Sequence, residues 1–118
     1  MDIDELRGYC LEKAHTSEGF PFDNDTLVFK VAGKMFALVG LDKHPLSVNL
    51  KCDPERALEL REQFESILPG YHMNKQHWNT VILDGSIPLP LLLELIDHSY
   101  NLIYNSLPQK TRNMLEGL

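Results

Sequence analysis

The stretch TLVFKVAGKMFALVGL, from Thr26 to Leu41, limits what this chain can fold into more than any other. Two runs of branched and aromatic residues flank a turn at Ala32 to Lys34, and Leu27, Phe29 and Val31 alternate against Val28, Lys30 and Ala32. Alternation of this kind reads as two strands, and Gly33 supplies the backbone angle that a tight turn between them requires. Strands joined so closely must run antiparallel, because a parallel pair needs a crossover of a dozen residues or more. The chain is therefore expected to build an antiparallel sheet.

A third strand is expected at LSVNLKC, with Leu46, Val48 and Leu50 facing one way and Ser47, Asn49 and Lys51 the other. Helical spacing takes over on either side. Asp2 is placed as an N-cap with Glu5 three residues on, and Ile3, Leu6 and Cys10 follow, predicting a helix from about Ile3 to Lys13. TSEGFPFDND, with Gly19 and Pro21, reads as a break. In DPERALELREQFESIL, Asp53 caps a helix with Pro54 at its first position, and Ala57, Leu60, Phe64 and Ile67 recur every three or four residues.

A short strand at Tyr71 to Met73 and a longer one in WNTVILD precede a last helix capped by Ser86, with Pro88 at its start. The predicted order is α-β-β-β-α-β-β-α. It describes an α+β fold, a two-layer α/β sandwich whose antiparallel sheet of about five strands carries helices on one face. The apolar stripe of the last helix is widened by Leu91, Leu95 and Leu102, and Met114, Leu115 and Leu118 lie near the end of the chain. That surplus suits a protein partner or a second copy of the chain.

With 118 residues, one domain over 1–118 is expected. No run approaches the roughly 18 consecutive apolar residues of a membrane span. Acids stand near the start where a secretory leader carries bases, so a cytosolic location is expected. Cys10 and Cys52 form no CxxC pair and read as small packed hydrophobes.

The formal charge of −6 is unevenly spread. Residues 26–51, which hold the first strands, carry one acid and four bases, while 53–68 carry five acids and two bases. Lys30 and Lys51, with Lys34 and Lys43 near turns, are thereby candidates for a basic sheet face able to attract a polyanion. Solvated edge lysines and helix-favouring glutamates are the simpler account of the same pattern.

PGYHMNKQHWNTV, from Pro69 to Val81, gathers His72, Asn74, Lys75, His77, Trp78 and Asn79 with no acid among them. A metal site is disfavoured because His72 and His77 are an odd number of residues apart, which on a strand means opposite faces, and no third ligand follows. Asp97, His98 and Ser99 have the residue types of an acyl-transfer triad. Adjacent helix positions lie about 100° apart, however, so they cannot relay a proton in series, and a contact of Asp97 or His98 to the sheet is expected instead. With no glycine-rich phosphate loop and no HExxH motif, neither a catalytic site nor a cofactor is expected.

The words GKMFAL, KCDPERALELRE, PGYHMNKQHWNTVILDG and LLLELIDHSYNLI, in this order, resemble the MmcQ/YjbR family of small bacterial proteins across essentially the whole chain. The resemblance implies a double-wing α/β fold, related in shape to frataxin-like and secretion-chaperone-like folds, and a DNA-binding role. The expected function is a small non-enzymatic binding protein. It would contact duplex DNA through Lys30, Lys34, Lys51, His72, Asn74, Lys75, His77 and Asn79, with Trp78 largely buried. The alternative is a protein-binding adaptor without a nucleic-acid role.

Overall fold

The structure is a computed structural model that describes residues 1–71 and 73–118. Its elements run α1 (Ile3–Leu11), β1 (Thr16–Gly19), β2 (Thr26–Val31), β3 (Lys34–Gly40), β4 (Ser47–Lys51), α2 (Pro54–Gln63), β5 (Ile67–Pro69), β6 (Trp78–Ile82), α3 (Leu89–Asn105) and α4 (Gln109–Leu115). The strands form one six-stranded antiparallel sheet in the order β1-β2-β3-β4-β6-β5. Helices α1, α2 and α3 pack on one face of it.

Local chemistry explains the boundaries. Asp2 accepts from the Glu5 amide at 2.8 Å while Glu5 accepts from the Asp2 amide at 3.3 Å, closing the capping box that starts α1. Asp53 caps α2 through the Arg56 amide. In the β2–β3 hairpin Ala32 and Gly33 have φ of 48° and 85°, the pair of positive angles that a two-residue type I′ turn demands.

The sheet has one strand more than expected. Thr16–Gly19 pairs with β2 from Thr16 opposite Val31 to Gly19 opposite Val28, and its lack of apolar alternation hid it. As an edge strand it is held by ladder hydrogen bonds and by Arg7, whose Nε donates to Glu18 at 2.9 Å. Ile67–Pro69 is the strand that pairs with β6, with Ile67 opposite Val81; of the strand expected at Tyr71 to Met73, the described residues Tyr71 and Met73 are not in a strand, and His72 lies outside the described residues. Accordingly α2 ends earlier than its spacing suggests: Phe64 is extended, and the buried Ile67 enters the sheet. Ser86 does not cap α3. Its hydroxyl meets Ser66 Oγ and Asp84 Oδ1, both at 2.6 Å, and the helix begins after Pro88 with no side-chain cap.

The core lies between the helices and the sheet face formed by Leu27, Phe29, Ala37, Val39, Val48, Leu50 and Val81. Much of the surplus stripe of α3 is absorbed there. Leu95 is buried and Leu102 half-buried, and only Leu89 on α3 and Met114 and Leu118 near the end of the chain stay well exposed. Cys10 and Cys52 are buried free thiols, and burial pushes them up to about 12 and about 11. No helix among the described residues is long and apolar enough to cross a membrane.

One irregularity determines the composition of the other sheet face. Phe29 stands opposite Ala37 but Lys30 stands opposite Met35, so Phe36 is an extra residue in β3, a β-bulge. Beyond it the alternation is inverted. Phe36 turns to the helix side, fully buried and edge-on to Tyr100 of α3 at 5.3 Å, while Met35 joins Lys30 on the open face.

The hairpin turn is directly testable. Gly33→Val should lower stability by about 1–2 kcal/mol, because a β-branched residue is strained at positive φ, whereas Ala32→Asn should raise it by a few tenths. Urea unfolding midpoints at constant slope would measure both.

Candidate functional site

Asp97, His98 and Ser99 point in three directions from α3. Asp97 accepts from Tyr9 Oη at 2.7 Å and from Lys13 Nζ, clamping α1. His98 Nε2 accepts the Asp53 amide at 3.1 Å, tying α3 to the start of α2. The Ser99 hydroxyl accepts from the Lys51 amide at 2.9 Å and donates to the Phe36 carbonyl at 2.6 Å. Each group is committed to a different element, and a proton relay among them has no path. The contact to the sheet expected of Asp97 or His98 belongs to Ser99.

Burial, and secondarily the Arg56 charge, lower the His98 pKa below its ordinary 6.5. The unfolded chain therefore takes up this proton more readily than the folded one. The contribution is intact above about pH 6.5 and is lost as pH falls from there through the folded-state value. His98→Gln keeps an acceptor for the Asp53 amide, and it should remove that part of the pH dependence when unfolding is followed from pH 7.5 to 5.

The segment before β6 is held mainly from below. The Asn74 carbonyl accepts from the amides of His77 at 3.1 Å and Trp78 at 2.9 Å, and its side-chain oxygen accepts from Gln76 at 2.9 Å. Asn74 is thus a turn-former on an exposed loop. Trp78 is 8% exposed, and a Cβ at Gly70 would lie 3.0 Å from its backbone, so glycine is required where β5 leaves the sheet. Lys75 is exposed with its ammonium 5.0 Å from the centre of the Tyr71 ring, a cation–π contact. His77 is half-buried, and its carbonyl accepts the Cys52 amide at 2.8 Å. His72 lies outside the described residues.

Two of the expected DNA contacts are displaced from the open face. Asn79 is 2% exposed on the helix side, where its Oδ1 accepts from Arg61 Nε at 2.6 Å. Arg61 also donates to the carbonyl of Lys75, so one guanidinium joins α2, β6 and the loop. Lys34 is exposed, but it pairs with Val31 on the helix side of the bulge. Lys30 and Lys51 do share the open face; two strands apart, their backbones are separated by about 10 Å.

Between them and the opposite end of the sheet lies a groove of about 850 Å³. Its floor is Leu38, Asn49, Thr80 and Leu68, one residue from each of four adjacent strands in a single row. Thr80 Oγ1 donates to Asn49 Oδ1. Phe22 from the β1–β2 loop forms one lip and Tyr71 after β5 the other, 64% and 62% exposed respectively. Met35 and Met73 line the groove toward one end of the strands; Asp23, Asp25, Asp42 and Lys43 line the other. Of the groove residues the sequence singles out Lys43, as part of a basic face, and Ser47 and Asn49, as outward-facing positions of β4. The lips and acidic end sit on loops and Met35 on the inverted side of the bulge, where alternation carries no signal, while the floor is drawn from four regular strands.

The YjbR family model matches residues 11–102. The chain belongs to the YjbR family. It is 38% identical over its full length to the uncharacterized protein YjbR of Escherichia coli K12, which it also covers completely. It is 40% identical to the uncharacterized protein YbdF of Escherichia coli O157:H7 over 77% of this chain and 75% of that protein. The crystal structure of Deinococcus radiodurans protein DR2400, with a DUF419 domain, superposes with a TM-score of 0.92 at 47% identity, covering 97% of this chain and 87% of that one. A Pseudomonas syringae protein gives a TM-score of 0.75 at 30% identity over 87% of this chain and 99% of its own. This YjbR-family protein therefore shares both sequence and fold with its relatives.

Arg61→Met should cost about 1–3 kcal/mol, because it leaves the buried Asn79 oxygen without its charged donor. The exposed Lys75→Met should stay within about 0.5 kcal/mol of the unaltered protein. Chemical denaturation of the two variants side by side would check both values.

Proposed function

We propose that this YjbR-family protein is a non-catalytic binding protein whose ligand lies in the groove on the open sheet face. The observation that carries this reading is the groove's makeup. Apolar and aromatic side chains stand exposed on both lips of a concave floor that carries hydrogen-bonding groups, on the face the helices leave uncovered. A concave site of this size, in a range of about 300–1,000 Å³, is the ordinary form of a site for a small ligand or short chain, and here apolar and polar side chains share the lining almost equally. The Asp97, His98 and Ser99 side chains are engaged in packing the helices, which supports binding rather than catalysis.

An anilinonaphthalene sulfonate dye provides a generic test. It should bind with a stoichiometry of one per chain, and Leu68→Glu or Tyr71→Glu should weaken it at least fivefold. Leu58→Glu, an exposed leucine on α2 that does not line the groove, should leave it unchanged. Equal sensitivity at all three positions would overturn the assignment of the groove.

Duplex DNA is a second reading, and the placement of Lys30 and Lys51 on the open face supports it. Lys43 lines the groove at its far end, but there Asp23, Asp25 and Asp42 oppose a polyanion. If DNA binds, affinity should fall steeply with salt and drop further in Lys51→Glu and Lys75→Glu. Absence of binding to duplex at low ionic strength would remove this reading.

A further inference from the structure

We infer that the occupant of the groove is a short extended peptide of about five residues, with its cationic end at Asp25 and Asp42 and its anionic end at Lys51 and Lys30. The inference rests on the groove reading above and adds the class of ligand.

The groove lining is acidic at one end, and lysines just outside the lining flank the other. The β1–β2 and β3–β4 loops meet at one end of the sheet and bring Asp23, Asp25 and Asp42 together with a single ammonium, Lys43. Asp23 Oδ1 already accepts the amides of Asp25 at 2.9 Å and Thr26 at 2.7 Å, which hold its carboxyl below the usual range and keep it ionised. Asp25 and Asp42 are exposed and available to a ligand. At the other end of the same strands Lys30 and Lys51 stand on the open face beside Met35, and Lys75 lies over Tyr71 on the lip.

The separation sets the length. Thr26 begins β2 at the acidic end and Lys30 lies four residues on, so the two ends are about 14 Å apart along the strand. An extended chain spans about 3.3–3.6 Å per residue, and four to five residues bridge that distance. A polyanion would meet the carboxylates at one end, and a simple cation would leave the lysines at the other unmatched. A dipolar peptide satisfies both ends.

The middle of the groove suits a peptide as well. Thr80 orients the Asn49 amide by donating to its oxygen, so that the amide nitrogen and the nearby Ser47 hydroxyl can serve a backbone carbonyl. Phe22, Leu68 and Tyr71 offer apolar surface to side chains projecting alternately from an extended backbone.

The probe is the pentapeptide Lys-Leu-Phe-Leu-Glu with free termini, compared by titration calorimetry with its isomer Glu-Leu-Phe-Leu-Lys. The isomer has the same composition, but each terminal charge is cancelled by its neighbour. The first peptide should bind one per chain and at least tenfold tighter than the second. Asp42→Lys and Lys51→Glu, which exchange charges at partly or fully exposed positions, should each weaken it about tenfold while leaving the thermal unfolding midpoint within a few degrees. Equal affinity for the two isomers, or indifference to both exchanges, would overturn the inference. A groove that still takes the dye but not the peptide, or from which duplex oligonucleotide displaces the dye and the peptide does not, would refute the peptide class while leaving a groove ligand in place. Loss of dye binding at the groove as well would refute the underlying reading.

Discussion

The hydroxyl of Ser99 is the contact on which the rest of this structure depends. Pairing between β3 and β4 runs from Gly40 opposite Ser47 to Ala37 opposite Leu50 and stops there. The next positions are Phe36 and Lys51, and the Phe36 carbonyl and Lys51 amide that would have continued the ladder both turn to Ser99 Oγ, which is fully buried. A buried backbone group without a partner costs about 1–3 kcal/mol, so the serine lets two strands separate without leaving two such groups orphaned. The separation accommodates the bulge at Phe36. The bulge in turn places Phe36 against α3 and Met35 in the groove.

The neighbours of Ser99 extend the same role. Successive residues on a helix project about 100° apart, so a helix lying in the middle of a layer can address a different neighbour with each. Asp97 reaches α1, His98 reaches α2 and Ser99 reaches the sheet. These three polar contacts fix α3 in rotation, which the apolar stripe alone does loosely, since leucines tolerate repacking. Tyr100 adds a fourth contact by donating to the Ala14 carbonyl at 2.6 Å, and Lys13 lies over both the Tyr9 and Tyr100 rings. The helical layer is thus locked on one side of the sheet, and the other side is left to the loops.

Much of this architecture was legible in the sequence, because periodicity reports which side of an element is buried. The hairpin at Ala32 and Gly33, the Asp2 and Asp53 caps and the burial of Val48 and Leu50 follow from spacing and turn chemistry, and the burial of Trp78 from its residue type. What escaped detection were departures from regular alternation. Lys34 groups with Lys30 by charge alone, as a lysine near the turn in the basic stretch 26–51, and a one-residue bulge puts it on the other face. Asn79 reads as a polar contact because its strand is apolar on both faces, and its partners on α2, Arg61 donating to its oxygen and the Ala57 carbonyl accepting from its nitrogen, make a buried amide tolerable. Thr16–Gly19 shows no pattern because an edge strand with one partner needs little apolar surface of its own.

The charge distribution has a different meaning once the faces are assigned. Glu55, Glu59, Glu62 and Glu65 lie exposed on α2 and just beyond it, contributing to the net charge of −6 without lining the groove. At physiological salt, charges farther apart than about 8 Å are largely screened from one another, so what a bound ligand senses is the local pair of groove ends rather than the total. The total still acts at the stage of encounter, where it disfavours polyanions, while a dipolar ligand of zero net charge approaches without penalty. For the peptide ligand proposed above, discrimination would come from two ranges acting together: the acidic surface disfavours polyanions by total charge, and the open face would select by opposite charges spaced about 14 Å apart.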